Sequence, residues 1–341
     1  MSSWVPGLVE AMSSPATFDL TVSIGTINNF DGLRKCLRSV FASGGKALRM
    51  HVVLVSNGGD KAELDRVQAE FPAIEVIRKE RPLGWTRTHN LVLKQVRSRY
   101  VLVLDDDTEL SESTLPGMIH FMDANPTVGV AACRTLNPDG SFQQICGIHH
   151  SLGSELRYAL KLSSFWPRDL CRDADHWQEV DWLNGSFMLM RREAIDQTGP
   201  LDDYYYTYLA EPDWCFRVRA LGWKVAYVPE YELIHVGGEH SINSRNKSYA
   251  NLVRWHVNRF YFFHKHYRRA DQFLLRPVML LGALIRFVNF SLVYVLRPAR
   301  RDEASSKIKA YLHVIGLSLA PNPYHLPKYL AQQNEAATAA L

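Results

Sequence analysis

Two hydrophobic rhythms alternate along the first hundred residues. Short apolar, largely β-branched runs recur at residues 20–26, 51–55, 74–77 and 101–104; each has the length and composition of a buried strand. Between them the spacing turns helical. Leu33, Cys36, Leu37, Val40 and Phe41 fall on one face before Gly44-Gly45, residues 61–71 form a second helix, and Gly84-Trp85 opens a third that runs through Asn90 to Val96. The β-α-β-α-β-α-β order predicts an α/β fold with a doubly wound, mostly parallel sheet.

In such sheets ligands bind beyond the carboxyl ends of the strands. Thr26, Asn28, Ser56, Asn57 and the run Asp105-Asp106-Asp107 all follow strands directly, so the topology gathers short polar residues around one crevice. Three adjacent carboxylates repel one another, and a hard divalent cation such as Mg²⁺ or Mn²⁺ relieves that repulsion. Alternate residues of an extended chain point the same way, which lets Asp105 and Asp107 face one ligand. A solvated acidic turn is the competing reading. Strand one is followed by neither G-x-G-x-x-G nor G-x-x-x-x-G-K-[ST], which disfavours dinucleotide-binding and P-loop chemistry.

The second half is less regular. Residues 128–133 read as a strand and Asn137-Pro138-Asp139-Gly140 as a turn. Residues 141–180, rich in His, Trp and Arg, carry no assignable element but suit a cover over an acceptor; Gln143 and Gln144 within them read as surface or turn-packing residues. Residues 181–193 read as loop, strand and helix start. Glu211-Pro212-Asp213 opens a helix, with Pro212 in its first turn. A further strand follows at 225–228, and the stretch Leu233-Ile234-His235-Val236-Gly237-Gly238 comes after it.

Composition adds bounds rather than identity. The chain has 341 residues, 47% hydrophobic and 22% charged, with a net charge of +4, enough for one large domain or two ordinary ones. Five scattered cysteines without a C-x-x-C pair argue for a reducing compartment and against a disulfide framework or structural zinc. No basic n-region and apolar run precede Asp19, so no secretory signal is expected.

Four motifs in order carry a resemblance: Val-Ser-Ile-Gly-Thr-Ile-Asn, Val-Leu-Val-Ser-Asn-Gly-Gly, Pro-Leu-Gly-Trp with Asn90, and Leu-Asp-Asp-Asp-Thr. They resemble the nucleotide-sugar half of family-2 glycosyltransferases of the GT-A fold. The stretch 182–217, ending in Asp213-x-Cys215-x-Arg217, resembles the acceptor-side signature of the same family. The resemblance implies that Thr26, Asn28, Ser56 and Asn57 line the nucleoside pocket, with Gly84, Trp85, Asn90 and Asp106 completing the nucleotide-sugar site. It puts Asp105 near the ribose, Asp107 on a metal under the diphosphate, and Trp182, Asn184 and Gly185 on the sugar and acceptor side. Ser56 stands where many relatives carry Asp, and Ala210 where they carry the first acidic residue of a pair.

Inverting transfer needs a base for the attacking hydroxyl, and a carboxylate at a helix N-terminus stays ionised there. Glu211 aligns with the base and Asp213 is second choice; helix capping is the competing role for both. His235, 24 residues beyond Glu211, aligns with the histidine that completes the metal site. The basic tail and the His-Val-Gly-Gly region look most like bacterial rhamnosyltransferases, which implies a dTDP- or UDP-sugar donor and a glycan or lipid-linked acceptor in cell-envelope polysaccharide synthesis. A nucleotidyltransferase and a non-catalytic glycan-binding or scaffold protein are the rivals.

From Arg254 to Lys309 twelve Lys/Arg face three Asp/Glu, and aromatics are interleaved. Residues 273–296 are largely apolar, but Arg286 would be costly inside a bilayer. An amphipathic or hairpin element in a membrane interface fits better; a helical cap on the domain or a homo-oligomer surface are the alternatives, and no motif supports nucleic-acid binding. The expected layout is an N-terminal tail (1–19), a nucleotide-sugar half (20–130), an acceptor and catalytic half (131–250) and a helical, basic segment (251–341). The expected location is the cytoplasm, peripheral at the inner face of the plasma membrane.

Overall fold

The computed structural model describes residues 18–45, 48–162, 174–237 and 249–325. The N-terminal tail before Phe18, the residues Gly238, His240 and Ser241, and the Ala-rich C-terminal stretch lie outside the described residues.

The first half follows the alternating pattern closely. Strands β1 (Leu20–Thr26), β2 (Met50–Asn57), β3 (Ile74–Lys79) and β4 (Tyr100–Asp105) alternate with helices α1 (Phe30–Gly44), α2 (Lys61–Glu70) and α3 (Trp85–Leu93). All four strands pair in parallel in the order β3-β2-β1-β4. Their apolar residues are buried because helices cover both faces of the sheet: Leu20, Val22, Ile24 and Val101 to Leu104 are fully enclosed. Asp60 caps α2 by accepting the backbone N–H groups of Ala62 and Glu63.

Beyond β4 the sheet becomes mixed. After β5 (Thr108–Leu110) and α4 (Thr114–Ala124) come β6 (Val128–Leu136), β7 (Cys146–Gly147), α5 (Leu152–Ala159), β8 (Gln178–Glu179), β9 (Trp182–Leu183), β10 (Phe187–Arg191), α6 (Arg192–Thr198), α7 (Ala210–Ala220) and β11 (Lys224–His235). β10 runs antiparallel between β4 and β6, and β6 pairs with β11 in parallel. One sheet therefore continues through both halves of the chain. The strand expected at 225–228 continues to His235 as one strand, with a register shift between Val228 and Glu232. That irregularity bends β11 so that its end, carrying His235, pairs with β5 just after the acidic run.

Three helices close the chain: α8 (Tyr249–His266), α9 (Arg269–Leu296) and α10 (Arg301–Leu319). They share a second core with Tyr205, Leu209 and Ala210, around Val257, Phe260, Phe262 and Phe263. Residues 273–296 belong to one helix that continues through Pro277, not to a hairpin. Arg286 is buried in it, donating to the carbonyls of Tyr158, Ala159 and Gly282. Cys146 is disulfide-bonded, a bond that the expectation of a reducing compartment does not include, whereas Cys36, Cys133 and Cys215 are free and buried.

Candidate active site

The end of β4 and the end of β11 meet. His235 Nε2 lies 3.1 Å from Asp107 Oδ1 and 3.7 Å from Asp105 Oδ2, and ligand atoms of all three residues lie within 4.8 Å of one another. The other face of the imidazole is fixed: Nδ1 is 2.6 Å from Gln143 Oε1. Gln143 is oriented in turn, because its amide donates to Asn137 Oδ1 at 2.8 Å. Its carbonyl oxygen therefore accepts, Nδ1 carries the proton and Nε2 presents a lone pair to two carboxylates. Three acceptors facing one another without a cation repel; with a divalent cation they form a mixed oxygen and imidazole ligand set. The residues present thus fit a metal. Gly237 permits this closeness, since a Cβ there would sit 2.1 Å from Asp107 Oδ2.

The carboxylates differ. Without a cation, a proton on Nε2 takes its place: burial raises the Asp107 carboxyl, but the hydrogen bond and charge of the then protonated His235 outweigh it and hold the group below its ordinary value. Burial pushes Asp106 up to about 7, opposed by the Thr26 and Asn29 side chains and reinforced by Asp107 and Asp105. Asn29 precedes α1 but spends its amide on Asp106 Oδ1 at 3.1 Å.

Trp85, the first residue of α3, connects this cluster to the second half. Its indole N–H donates to Asp105 Oδ1 at 3.1 Å. The same ring abuts Gly185, where a Cβ would lie 2.2 Å from Trp85 Cζ2 and 3.0 Å from Glu211 Oε1. The Gly185 N–H donates to Glu211 Oε1 at 3.2 Å. Glu211 follows two consecutive non-glycine residues in the left-handed region, Tyr208 and Leu209, both at φ 62°. Such backbone is costly and persists where surrounding structure holds it; here Asn258 of α8 donates to the carbonyls of Thr207 and Tyr208.

Glu211 lines a cavity of about 350 Å³ together with Trp182, Leu183 and Asn184. Tyr208, Trp255 and His150 complete its aromatic side. Asp213 is elsewhere. It is fully buried, and its oxygens are engaged by Arg217 at 2.9 Å, Lys265 at 2.8 Å and His266 at 2.7 Å. It binds α7 to α8 and does not line the cavity.

Other expected residues sit at the strand ends but use their side chains as braces. Asn57 bonds Thr88 Oγ1 at 2.8 Å, Ser56 donates to the Gly58 carbonyl at 3.0 Å, and Asn28 accepts from the Asp60 N–H at 2.9 Å. Asn90 ties α3 to the Leu201 carbonyl and Asp203. Gly84 precedes α3 at φ 83°, a conformation that favours glycine. Sequence reasoning missed Gln143: it lies 92 residues from His235, in a stretch without periodicity, and is buried rather than at the surface. Trp255, Tyr208 and His150 were missed too: Tyr208 and His150 sit outside regular elements, and Trp255, on α8, reaches the cavity only through packing between stretches distant in sequence.

A mixed sheet with polar strand ends, an acidic run closed by a histidine, and a carboxylate across a tryptophan define a GT-A transferase. The model described as glycosyl transferase family 2 matches residues 21–199, and the chain belongs to that family. It is related to bacterial rhamnosyltransferases: it is 24% identical over 230 residues to the N-acetylglucosaminyl-diphospho-decaprenol L-rhamnosyltransferase of Mycobacterium tuberculosis, covering 62% of this chain and 73% of that one. Rhamnosyltransferase WbbL of Escherichia coli matches at 31% identity over 78 residues, 23% of this chain and 28% of that one. Among solved structures, mannosyltransferase PcManGT from Pyrobaculum calidifontis, in complex with GDP-Man and Mn²⁺, superposes with a TM-score of 0.53 at 13% identity, over 91% of both chains. The chain is a glycosyltransferase; neither rival reading finds support.

Proposed function

We propose that this chain is a metal-dependent, inverting transferase that moves a sugar, rhamnose by its relatives, from a dTDP- or UDP-linked donor to a hydroxyl on a glycan or lipid-linked glycan of the cell envelope. The observation that carries it is the Asp105–Asp107–His235 cluster joined through Trp85 to Gly185 and Glu211. Asp105, Asp107 and His235 would hold Mg²⁺ or Mn²⁺. When bound, the cation offsets the charge of the departing diphosphate.

The chain's own groups do the rest. Thr26, Asn28, Ser56 and Asn57 frame the nucleoside side of the crevice. Trp85 separates that side from the acceptor cavity and fixes Asp105. The acceptor hydroxyl approaches from the cavity, its oxygen bonds to the anomeric carbon as the bond to the diphosphate breaks, and its proton passes to Glu211. Attack from the face opposite the leaving group inverts that carbon. Asp213 acts as the brace of α7, so the base role falls to Glu211 alone. The place of work is the cytoplasmic face of the membrane, with α9 against the lipid surface.

Thermal shift with dTDP, UDP and GDP, each with and without Mn²⁺ or Mg²⁺, tests the donor side: stabilisation by one of the first two only with cation is expected. Glu211→Gln should retain that stabilisation and lose transfer by roughly 10²- to 10⁴-fold. Unchanged transfer in this variant removes Glu211 from the mechanism.

A further inference from the structure

The acceptor cavity is not built by the family-matched segment alone. Its far wall comes from the loop before α5, from α5 and from α8, as His150, Tyr158, Trp255 and His256. Much of this wall is braced by charge. His150 Nδ1 is 2.8 Å from Glu155 Oε1, Glu155 pairs with Arg259 of α8, and the Arg259 guanidinium stands 4.5 Å over the Tyr158 ring. Glu155 and Arg259 are almost wholly buried. Burying such a pair has a large desolvation cost, and an ordinary loop does not require it. What the pair does here is hold two aromatic rings, His150 and Tyr158, at the cavity wall. Trp255 packs edge-on against both His150 and Tyr208, with ring centroids 6.2 and 5.8 Å apart.

The cavity therefore presents two indoles, Trp182 and Trp255, beside the Glu211 carboxylate, with Asn184 and His256 as polar groups. Flat aromatic faces with a few placed polar groups suit a ring that is apolar on one face and hydroxylated at its rim. We propose that Trp255 is a positioning and specificity residue for the acceptor, docking the terminal pyranose ring of a glycoside so that its hydroxyl meets Glu211. On this account α8, which lies beyond the family-matched residues, selects the acceptor. Asn258 of the same helix also holds the strained Tyr208 turn that precedes Glu211, so the helix sets both the ring platform and the base.

This rests on the transferase reading, and the experiment separates the two. Binding of octyl glucoside, octyl galactoside and octyl N-acetylglucosaminide, below their micellar concentrations, is measured by isothermal titration with the full chain. Thermal stabilisation by dTDP and UDP with Mn²⁺ is measured in parallel. The wild type should bind at least one glycoside. Trp255→Leu, apolar but not aromatic, should weaken that binding at least tenfold, and Trp255→Phe should stay within about threefold. Both variants should keep the wild type's stabilisation by nucleotide and cation, which reads the other side of Trp85. Equal binding by the Leu and Phe variants, or no glycoside bound by the wild type, overturns the assignment of Trp255. Loss of that stabilisation in step with glycoside binding overturns it too, because the residue would then support the whole site. A wild type that neither nucleotide stabilises with cation overturns the parent reading instead.

Discussion

Gln143 shows how much of the site depends on a residue with no charge and no catalytic chemistry. Its carbonyl oxygen fixes the tautomer of His235, and its amide is fixed in turn by Asn137. Gln143→Leu keeps the volume and removes the acceptor. The imidazole then loses its orientation, and the variant should require roughly 10- to 100-fold more Mn²⁺ for half-maximal stabilisation by nucleotide. An unaltered cation requirement would show that the ligand set holds itself in place. Gly185 makes a complementary point: the indole of Trp85 and the carboxylate of Glu211 both occupy space that any side chain there would need.

Among the elements, α7 separates two carboxylates that look alike in sequence. Glu211 and Asp213 share the first turn of one helix, so local rules of capping and dipole treat them equally. Their roles diverge through α8, more than fifty residues later, whose Lys265 and His266 close on Asp213. Burial raises the Asp213 carboxyl, but His266, Arg217 and Lys265 together hold it below its ordinary value. A carboxyl with a lowered folded pKa stabilises the fold above its unfolded pKa and loses that contribution as pH falls through the folded value. Asp213→Ala should therefore cost roughly 3–5 kcal/mol at neutral pH, a deficit that narrows below about pH 4; chemical denaturation at both pH values measures it. A deficit that does not change with pH would mean the ion pairs contribute nothing.

The same contrast explains what could be read without coordinates. Parallel strands announce themselves as apolar runs, and topology alone puts Asp105 and Asp107 at a ligand-binding edge. Gln143 and His150, in stretches that lack periodicity, and Trp255, on α8, reach the site only through tertiary contacts. No local pattern distinguishes them from surface residues.

At the scale of the molecule, the C-terminal layer has two faces with opposite demands. One face of α9 is packed: Gly282 meets Ala159, and Arg286 is consumed by the carbonyls of α5 and its own helix. Among the described residues nothing covers the other face. Phe273, Leu281, Leu284, Val288, Leu292 and Val295 are exposed along it, a stripe longer than a typical monomer leaves open to water. The helix is long and apolar enough to cross a membrane, but spanning would strip Arg286 and the α5 contacts from their partners. Lying in the interface preserves both. It also sets Arg297, Arg300 and Arg301, just past the end of α9, where anionic headgroups would meet them. The full chain should therefore sediment with phosphatidylglycerol-containing vesicles, less with purely zwitterionic ones, and progressively less as salt rises. Leu284→Glu combined with Val288→Glu should release it while leaving nucleotide stabilisation intact, since neither residue approaches the crevice. Binding that ignores both lipid charge and these substitutions would place the membrane contact elsewhere, and an exposed stripe that never meets lipid would have to be covered by another protein surface.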